Sequence, residues 1–367
     1  MSLARAFVIL QQLTERSVRR NELKLSIDCQ MADRPPGEAT LDLPYDNLSD
    51  REEIMEFGVR LAVQGEMGAK GQGWDYTRGM ALEAEELGYD SVWLPDHVIN
   101  AHMSREVPML ENWTVLSALA ALTKKVKFGG HTFNNSFRNP ALMAKMAATF
   151  DVMFGGRLYY SLGSAWFKDE NVGYGMPFDE HDDRVARLRE ALIIAKKMWT
   201  EPRTTFKGKF YQVEDAILEP KPVQRPHVPI WVPGDSEATR NLTAELADCW
   251  FIYSKPPETI REWAKDMKRR AGRDIPIAVS TVCLAGLPDA DVKKWSELYA
   301  LERKHRFAVP PTPQDILNEN LWGSSKDCID RIRQWQDAGV THVVIQPIPP
   351  LEGMRHFAKE IMPAFRK

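Results

Sequence analysis

The sequence lacks the marks of several large protein classes. It has no run of 18 apolar residues, the length a membrane-spanning helix needs, so no such helix is expected. Its apolar start, Leu3 to Leu10, is interrupted by Arg5 and followed by no small-residue cleavage site, and the expected location is the cytoplasm. Cysteine is scarce: Cys29, Cys249, Cys283 and Cys328 stand apart with no paired spacing, which points to buried free thiols in a reducing compartment. Neither sign of charge dominates. The 48 Lys and Arg against 51 Asp and Glu leave a net −3 with no basic tract, so nucleic acid is not an expected partner. There is no HExxH and no HxH after a first strand, so a metal-dependent barrel hydrolase would lack its ligands and no metal is expected. The acidic run Asp179 to Asp183 precedes a helix, whose first turn favours negative charge without any metal.

What is present is an ordinary globular composition, 44% hydrophobic and 27% charged over 367 residues. Residues 1–54 stand apart, with an Arg-rich amphipathic stretch and then Arg34-Pro35-Pro36-Gly37, and are expected to be an appended arm or a non-native start ahead of Met55. From residue 56 short apolar runs alternate with longer helical periods. Strands are expected at 57–63, 91–94, 126–130, 158–162, 229–232, 250–253, 277–284 and 343–346, with helices at 74–87, 113–122, 140–154, 184–199, 237–247, 258–271 and 326–337 and a closing helix. Two interruptions stand out, a small hairpin near 206–213 and a longer insertion over 287–323. Strand–helix alternation demands a parallel sheet, and eight repeats close a barrel. A doubly wound open sheet is the alternative, but its GxGxxG marker is missing. The expected fold is therefore an α/β (β/α)8 TIM barrel over 55–367, with insertions after strands four and seven.

A barrel builds its chemistry from the loops after the strands. Those positions hold Asp96 and His97 after strand two, and His131, Thr132, Asn134, Asn135 and Arg138 after strand three. After strand four come Gly163, Ser164, Ala165, Trp166, Lys168, Asp169 and Glu170. Gly234, Asp235 and Ser236 follow strand five, Ser254 strand six and Gln346 strand eight. Backbone N–H groups at Gly234-Asp235-Ser236 suit an anion, although Ser236 would also serve simply as a helix cap. Asp96 beside His97 could be an orienting carboxylate and a base, but adjacent strand residues face opposite ways. Trp93, Trp113, Trp199 and Trp231 sit at core-like positions; Trp166, just past a strand end, does not.

Three motifs in order carry a resemblance. They are Glu85-Glu86-Leu87-Gly88-Tyr89-Asp90-Ser91-Val92-Trp93 with Asp96-His97, then Arg138 to Asp151 with Gly155-Gly156-Arg157-Leu158, then Pro220 to His227 with Pro229-Ile230-Trp231. Together they resemble the luciferase-like superfamily over about residues 55 to 350. The resemblance implies a barrel oxidoreductase that holds FMN or the deazaflavin F420 at the strand ends. It places the cofactor phosphate on Gly234, Asp235 and Ser236, with a bulge or non-prolyl cis peptide near 131–133 beneath the ring. FMN-using monooxygenases of the group often carry His-x-x-x-Tyr at the fourth helix; here His181 is present but Val185 replaces the Tyr. With Arg184-Val185-Ala186-Arg187-Leu188 and Ala165-Trp166, this favours F420. Sugar-phosphate dehydrogenases of that branch carry a Trp and a Glu where this chain has Ala101 and Trp166, so a sugar phosphate is not the expected substrate.

The resulting expectation is hydride transfer between F420 and a small organic substrate. His97 would exchange the proton, Trp166 would wall the substrate side, and Arg138 would orient an acidic group or the cofactor tail. Thr132 and Asn134 would bond the ring, with Asp96, Gly163, Ser164 and Ala165 completing the cofactor set. The alternatives are an FMN-dependent two-component monooxygenase supplied by a reductase, and a barrel that binds flavin without turnover. A homodimer is expected, with Trp113 to Leu116 and Leu142-Met143 as candidate contacts.

Overall fold

A computed structural model of the chain describes residues 55–62, 73–101, 105–303 and 311–366. The arm expected over 1–54, Cys29, and Lys304, His305 and Arg306 of the second insertion lie outside these residues. Among the described residues eight parallel strands alternate with eight helices. The strands are β1 (Glu56–Arg60), β2 (Ser91–Leu94), β3 (Lys127–Gly130), β4 (Leu158–Gly163), β5 (Ile230–Pro233), β6 (Cys249–Tyr253), β7 (Ile277–Ala285) and β8 (Val340–Pro347). The helices are α1 (Trp74–Glu86), α2 (Asn112–Leu122), α3 (Pro140–Met153), α4 (His181–Thr200), α5 (Glu237–Leu246), α6 (Pro257–Ala271), α7 (Ser325–Asp337) and α8 (Pro350–Glu360). Each strand pairs in parallel with the next, and β8 returns to β1 with Phe57 opposite Val343 and Val59 opposite Ile345, so the barrel closes. The expected hairpin is the antiparallel pair Thr204–Lys207 and Gln212–Ala216, between α4 and β5. The insertion after β7 folds as two helices, Asp289–Arg303 and Pro313–Glu319, and a short strand, Leu321–Gly323, on the edge of β7.

Boundaries follow local chemistry. Gly88 has φ +82°, a backbone that a side chain resists, and it ends α1. Asn139 accepts from the N–H groups of Ala141 and Leu142 while Pro140 opens α3. All nine residues of β7 are buried, which is why a strand covered on both faces reads as a continuous apolar run. The helices bury one stripe each, such as Leu188, Ala191, Leu192 and Ala195 on α4. The positions named for a dimer face are mostly part of this core: Trp113, Val115, Leu116 and Met143 are buried within the chain, whereas Thr114 and Leu142 are exposed. Cys249, Cys283 and Cys328 are free and buried. No helix of the described residues is long and apolar enough to cross a membrane.

An aromatic layer fills the barrel. Trp93 stacks on Tyr159 with centroids 5.8 Å apart, and Trp231 and Phe251 lie 4.9 and 5.0 Å from it. Nearer the strand starts, the Glu56 carboxylate accepts from Tyr159 Oη at 2.8 Å and lies 3.3 Å from His342 Nε2 and 3.8 Å from Lys127 Nζ. Burial opposes ionisation of Glu56, but His342, Lys127 and Tyr159 outweigh it and hold the carboxyl far below its ordinary 4.5. A depressed carboxyl stabilises the fold above its unfolded value and loses that contribution as pH falls. Glu56→Gln is accordingly expected to cost about 1–2 kcal/mol at pH 7. The gap between the two proteins should narrow below about pH 4.5 in urea titrations run across pH, and a constant gap would contradict this account.

Candidate active site

A cavity of about 290 Å³ opens among the loops that follow the strands. Its lining includes Asp96, His97, Thr132, Asn134, Gly163, Ser164, Ala165, Trp166, Gly234, Asp235 and Ser236, so one site gathers every residue given a catalytic or cofactor-binding role from the sequence except Arg138. Arg138 stands behind the lining. Its guanidinium grips Asp96 through both carboxylate oxygens, at 2.7 and 3.1 Å, and also bonds Glu111. Burial pulls its pKa down, but Asp96 and Glu111 more than offset that and leave it raised. Arg138, expected to orient an acidic group or the cofactor tail, here has its charge met by Asp96 and Glu111.

Asp96 and His97 do not pair with each other, as the divergence of adjacent side chains allows. Asp96 Oδ2 takes Arg138 and the backbone N–H of Asn134 (2.8 Å), which anchors the loop after β3. His97 turns instead to Glu170, with Nδ1 2.8 Å from Oε1. Glu170 lies on a short helix, Lys168–Gly173, just past β4. Trp166 meets the His97 ring edge-on at 5.5 Å and is 46% exposed. Ser254 and Gln346 do not reach the cavity; both line a small polar hollow beneath the second insertion, with Asn320.

The loops have the shapes the resemblance implies. The peptide between His131 and Thr132 is cis. Ala165 has φ +66°, a left-handed backbone that costs a non-glycine residue about 1–2 kcal/mol, and it turns the chain out of β4 into the cavity wall. Gly163 is required by space: an added Cβ would lie 2.6 Å from Thr132 Oγ1. Asn134 donates to Asn171 through its amide and accepts from the Ser136 N–H, which fixes the orientation of its side chain.

Some lining residues were named from the sequence only for other reasons or not at all. His181 and Arg184 come from the start of α4, Thr239 from α5, Phe251 and Tyr253 from β6, and Ser280 from β7. Ser236 caps α5 by accepting from the Thr239 N–H, and His181 Nε2 lies 3.5 Å from Ser236 Oγ. The Arg184 side chain stacks on Phe178 at 4.3 Å and donates to the Asp179 carbonyl. Its Nε is buried without a partner, and no carboxylate among the described residues pairs with it. Burial lowers its pKa, against smaller opposing effects of Glu180 and Asp179. A cation beside a capped helix start with open N–H groups is suited to an anion. The acidic run beside it is taken up in ion pairs, Asp179 with Arg187 and Asp183 with Lys209.

Comparison with known proteins places this geometry. The family model described as luciferase-like monooxygenase matches residues 55–342. An FMNH2-dependent dimethylsulfone monooxygenase of Pseudomonas putida is 33% identical over 80% of this chain and 88% of its own. An F420-dependent glucose-6-phosphate dehydrogenase of Microbacterium testaceum is 30% identical over 77% of this chain and 91% of its own. Among solved structures, an F420-dependent secondary alcohol dehydrogenase superposes with a TM-score of 0.71 at 22% identity, over 85% of this chain and 99% of that one. An EDTA monooxygenase from Chelativorans sp. BNC1 gives 0.71 at 17% identity, over 85% and 93%. The relatives are oxidoreductases that differ in cofactor, the fold is theirs, and this chain is an enzyme of the luciferase-like monooxygenase family.

Proposed function

We propose that the protein is an F420-dependent oxidoreductase that moves a hydride between the deazaflavin and a small organic substrate. The observation that carries this reading is a cavity holding both an anion seat and a His–carboxylate pair. The residues fit the group: Arg184 has an orphaned buried Nε, and Gly163 leaves room that a Cβ would fill. His181, Arg184, Ser236 and Thr239 hold the phosphate. Gly163, Ser164, Ala165 and Thr132 would form the wall of the ring's site. When bound, F420 supplies a two-electron centre that passes hydride without trapping oxygen. His97 takes or returns the proton that accompanies the hydride, and Trp166 supplies an apolar wall beside it. Val185, buried where the flavin-using members often carry a Tyr, favours the deazaflavin reading.

A second reading, an FMNH2-dependent monooxygenase fed by a reductase, is favoured by the 33% identity to the dimethylsulfone monooxygenase. Fluorescence titration with F420, FMN and riboflavin separates the two. F420 binding tighter than FMN by tenfold or more is the expected result; tighter FMN with oxygen consumption would reverse the assignment. Arg184→Met tests the seat. It is expected to weaken F420 and FMN by about 10- to 100-fold, as a charge-assisted bond is lost. Riboflavin and the phosphate-free deazaflavin core should bind as before. Equal weakening with and without the phosphate would remove Arg184 from the seat.

A further inference from the structure

The cavity contains one arrangement that sequence order conceals. His97 has a carboxylate on either side of the choice: Asp96, its neighbour in the chain, and Glu170, 73 residues away. Asp96 is taken by Arg138 and the Asn134 N–H, and of the two carboxylates it is Glu170 that bonds the imidazole. The Glu170 side chain is 1% exposed and accepts through both oxygens, from His97 at Nδ1 and from the Val98 N–H at 3.3 Å. The bond to Val98 ties it to the same strand end that carries the imidazole.

We infer that Glu170 is a positioning residue that fixes which ring nitrogen of His97 carries the proton. A carboxylate accepts and does not donate, so Nδ1 is the donor and the neutral ring keeps its lone pair on Nε2. Packing limits other ring orientations: Trp166 and Phe167 both meet His97 edge-on, at 5.5 and 6.3 Å. The short helix that presents Glu170 is itself anchored, since Asn171 donates to the Phe167 carbonyl and accepts from Asn134. The neighbouring charged groups have other partners: Asp169 pairs with Arg105, and His131 lies 2.7 Å from Ser280 Oγ on β7. His181, Arg184 and Asp235 belong to the starts of α4 and α5. When a substrate hydroxyl gives up its proton, an O–H bond breaks and an Nε2–H bond forms. Glu170 stays ionised, and the pair passes from one negative charge to none. The reverse returns the proton.

This inference rests on the role given to His97 above, and its test is independent of the cofactor. Protein labelled with 15N in its imidazoles is recorded by long-range 1H–15N correlation, with His97→Asn to assign the signals. Wild type is expected to show a protonated Nδ1 and an unprotonated Nε2. Glu170→Gln, which retains an acceptor oxygen, should keep that pattern. In Glu170→Leu the two nitrogen signals should converge as the tautomers exchange, and turnover should fall about 100-fold at unchanged cofactor affinity. A wild-type ring protonated at Nε2, or a Leu variant with the wild-type pattern, would overturn the assignment. If Glu170→Leu does not fold, the wild-type and Gln spectra still decide. Failure of wild type to bind F420 or FMN in the same sample would overturn the cofactor reading and leave the tautomer result standing.

Discussion

A His97→Ala protein is expected to lose about 10²- to 10⁴-fold in turnover while binding its cofactor as wild type does, the range of positioned acid–base catalysis. The expectation follows from the division of labour in the cavity. The proposed phosphate seat draws on α4 and the start of α5, whereas His97 follows the end of β2 and touches Glu170, Trp166 and Phe167. Removing the imidazole would leave that seat intact but take away the proposed proton carrier. It also leaves Glu170 buried without its partner, which costs stability as well. Stopped-flow measurement of F420 oxidation or reduction at saturating cofactor, alongside a binding titration, separates these effects. Unchanged turnover would remove His97 from the chemistry, and a parallel loss of binding would make it a cofactor contact instead.

The second large effect lies below the site. Gly129 on β3 faces the indole of Trp93 on β2, and a Cβ built on it would come within 2.3 Å of the ring. The ring cannot retreat, since Tyr159, Trp231 and Phe251 pack around it. Gly129→Ala is therefore expected to cost about 2–3 kcal/mol, the cost of overpacking a rigid core. Thermal unfolding should move down by ~3–4 °C. Gly129→Ala combined with Trp93→Phe should be less damaging than the two changes summed, by about 1 kcal/mol, because the smaller ring makes room. Strict additivity would show that the methyl is accommodated elsewhere.

Much of the barrel was legible because its information is local. Strand β2 and the short apolar runs around it sit between glycines and helix caps, and Gly88, Pro140 and Ser236 mark ends that backbone chemistry requires. The helix α4 was read from Arg184, three residues late, because its first turn is the polar run His181-Asp182-Asp183. Strand ends predicted the cavity for the same reason: in a closed parallel barrel all eight ends point one way, so position along the chain becomes position in the site.

Pairing was not legible. Asp96 and His97 are adjacent in sequence, but in the loop after β2 their side chains take different partners. Arg138 and Glu170 reach these two residues only because the loop after β3 and the helix after β4 return to the mouth of β2. Arg184 could be read as part of a helix face, yet its orphaned Nε exists only because stacking on Phe178 buries it where no carboxylate follows. The order of apolar runs, glycines and caps determined by itself that this chain closes an eight-stranded barrel with its polar residues at one mouth. The tertiary structure alone decided which of those residues face the cavity, which are spent on each other, and that the carboxylate serving His97 is Glu170, because ion pairs form between groups that folding brings within about 4 Å, whatever their separation along the chain.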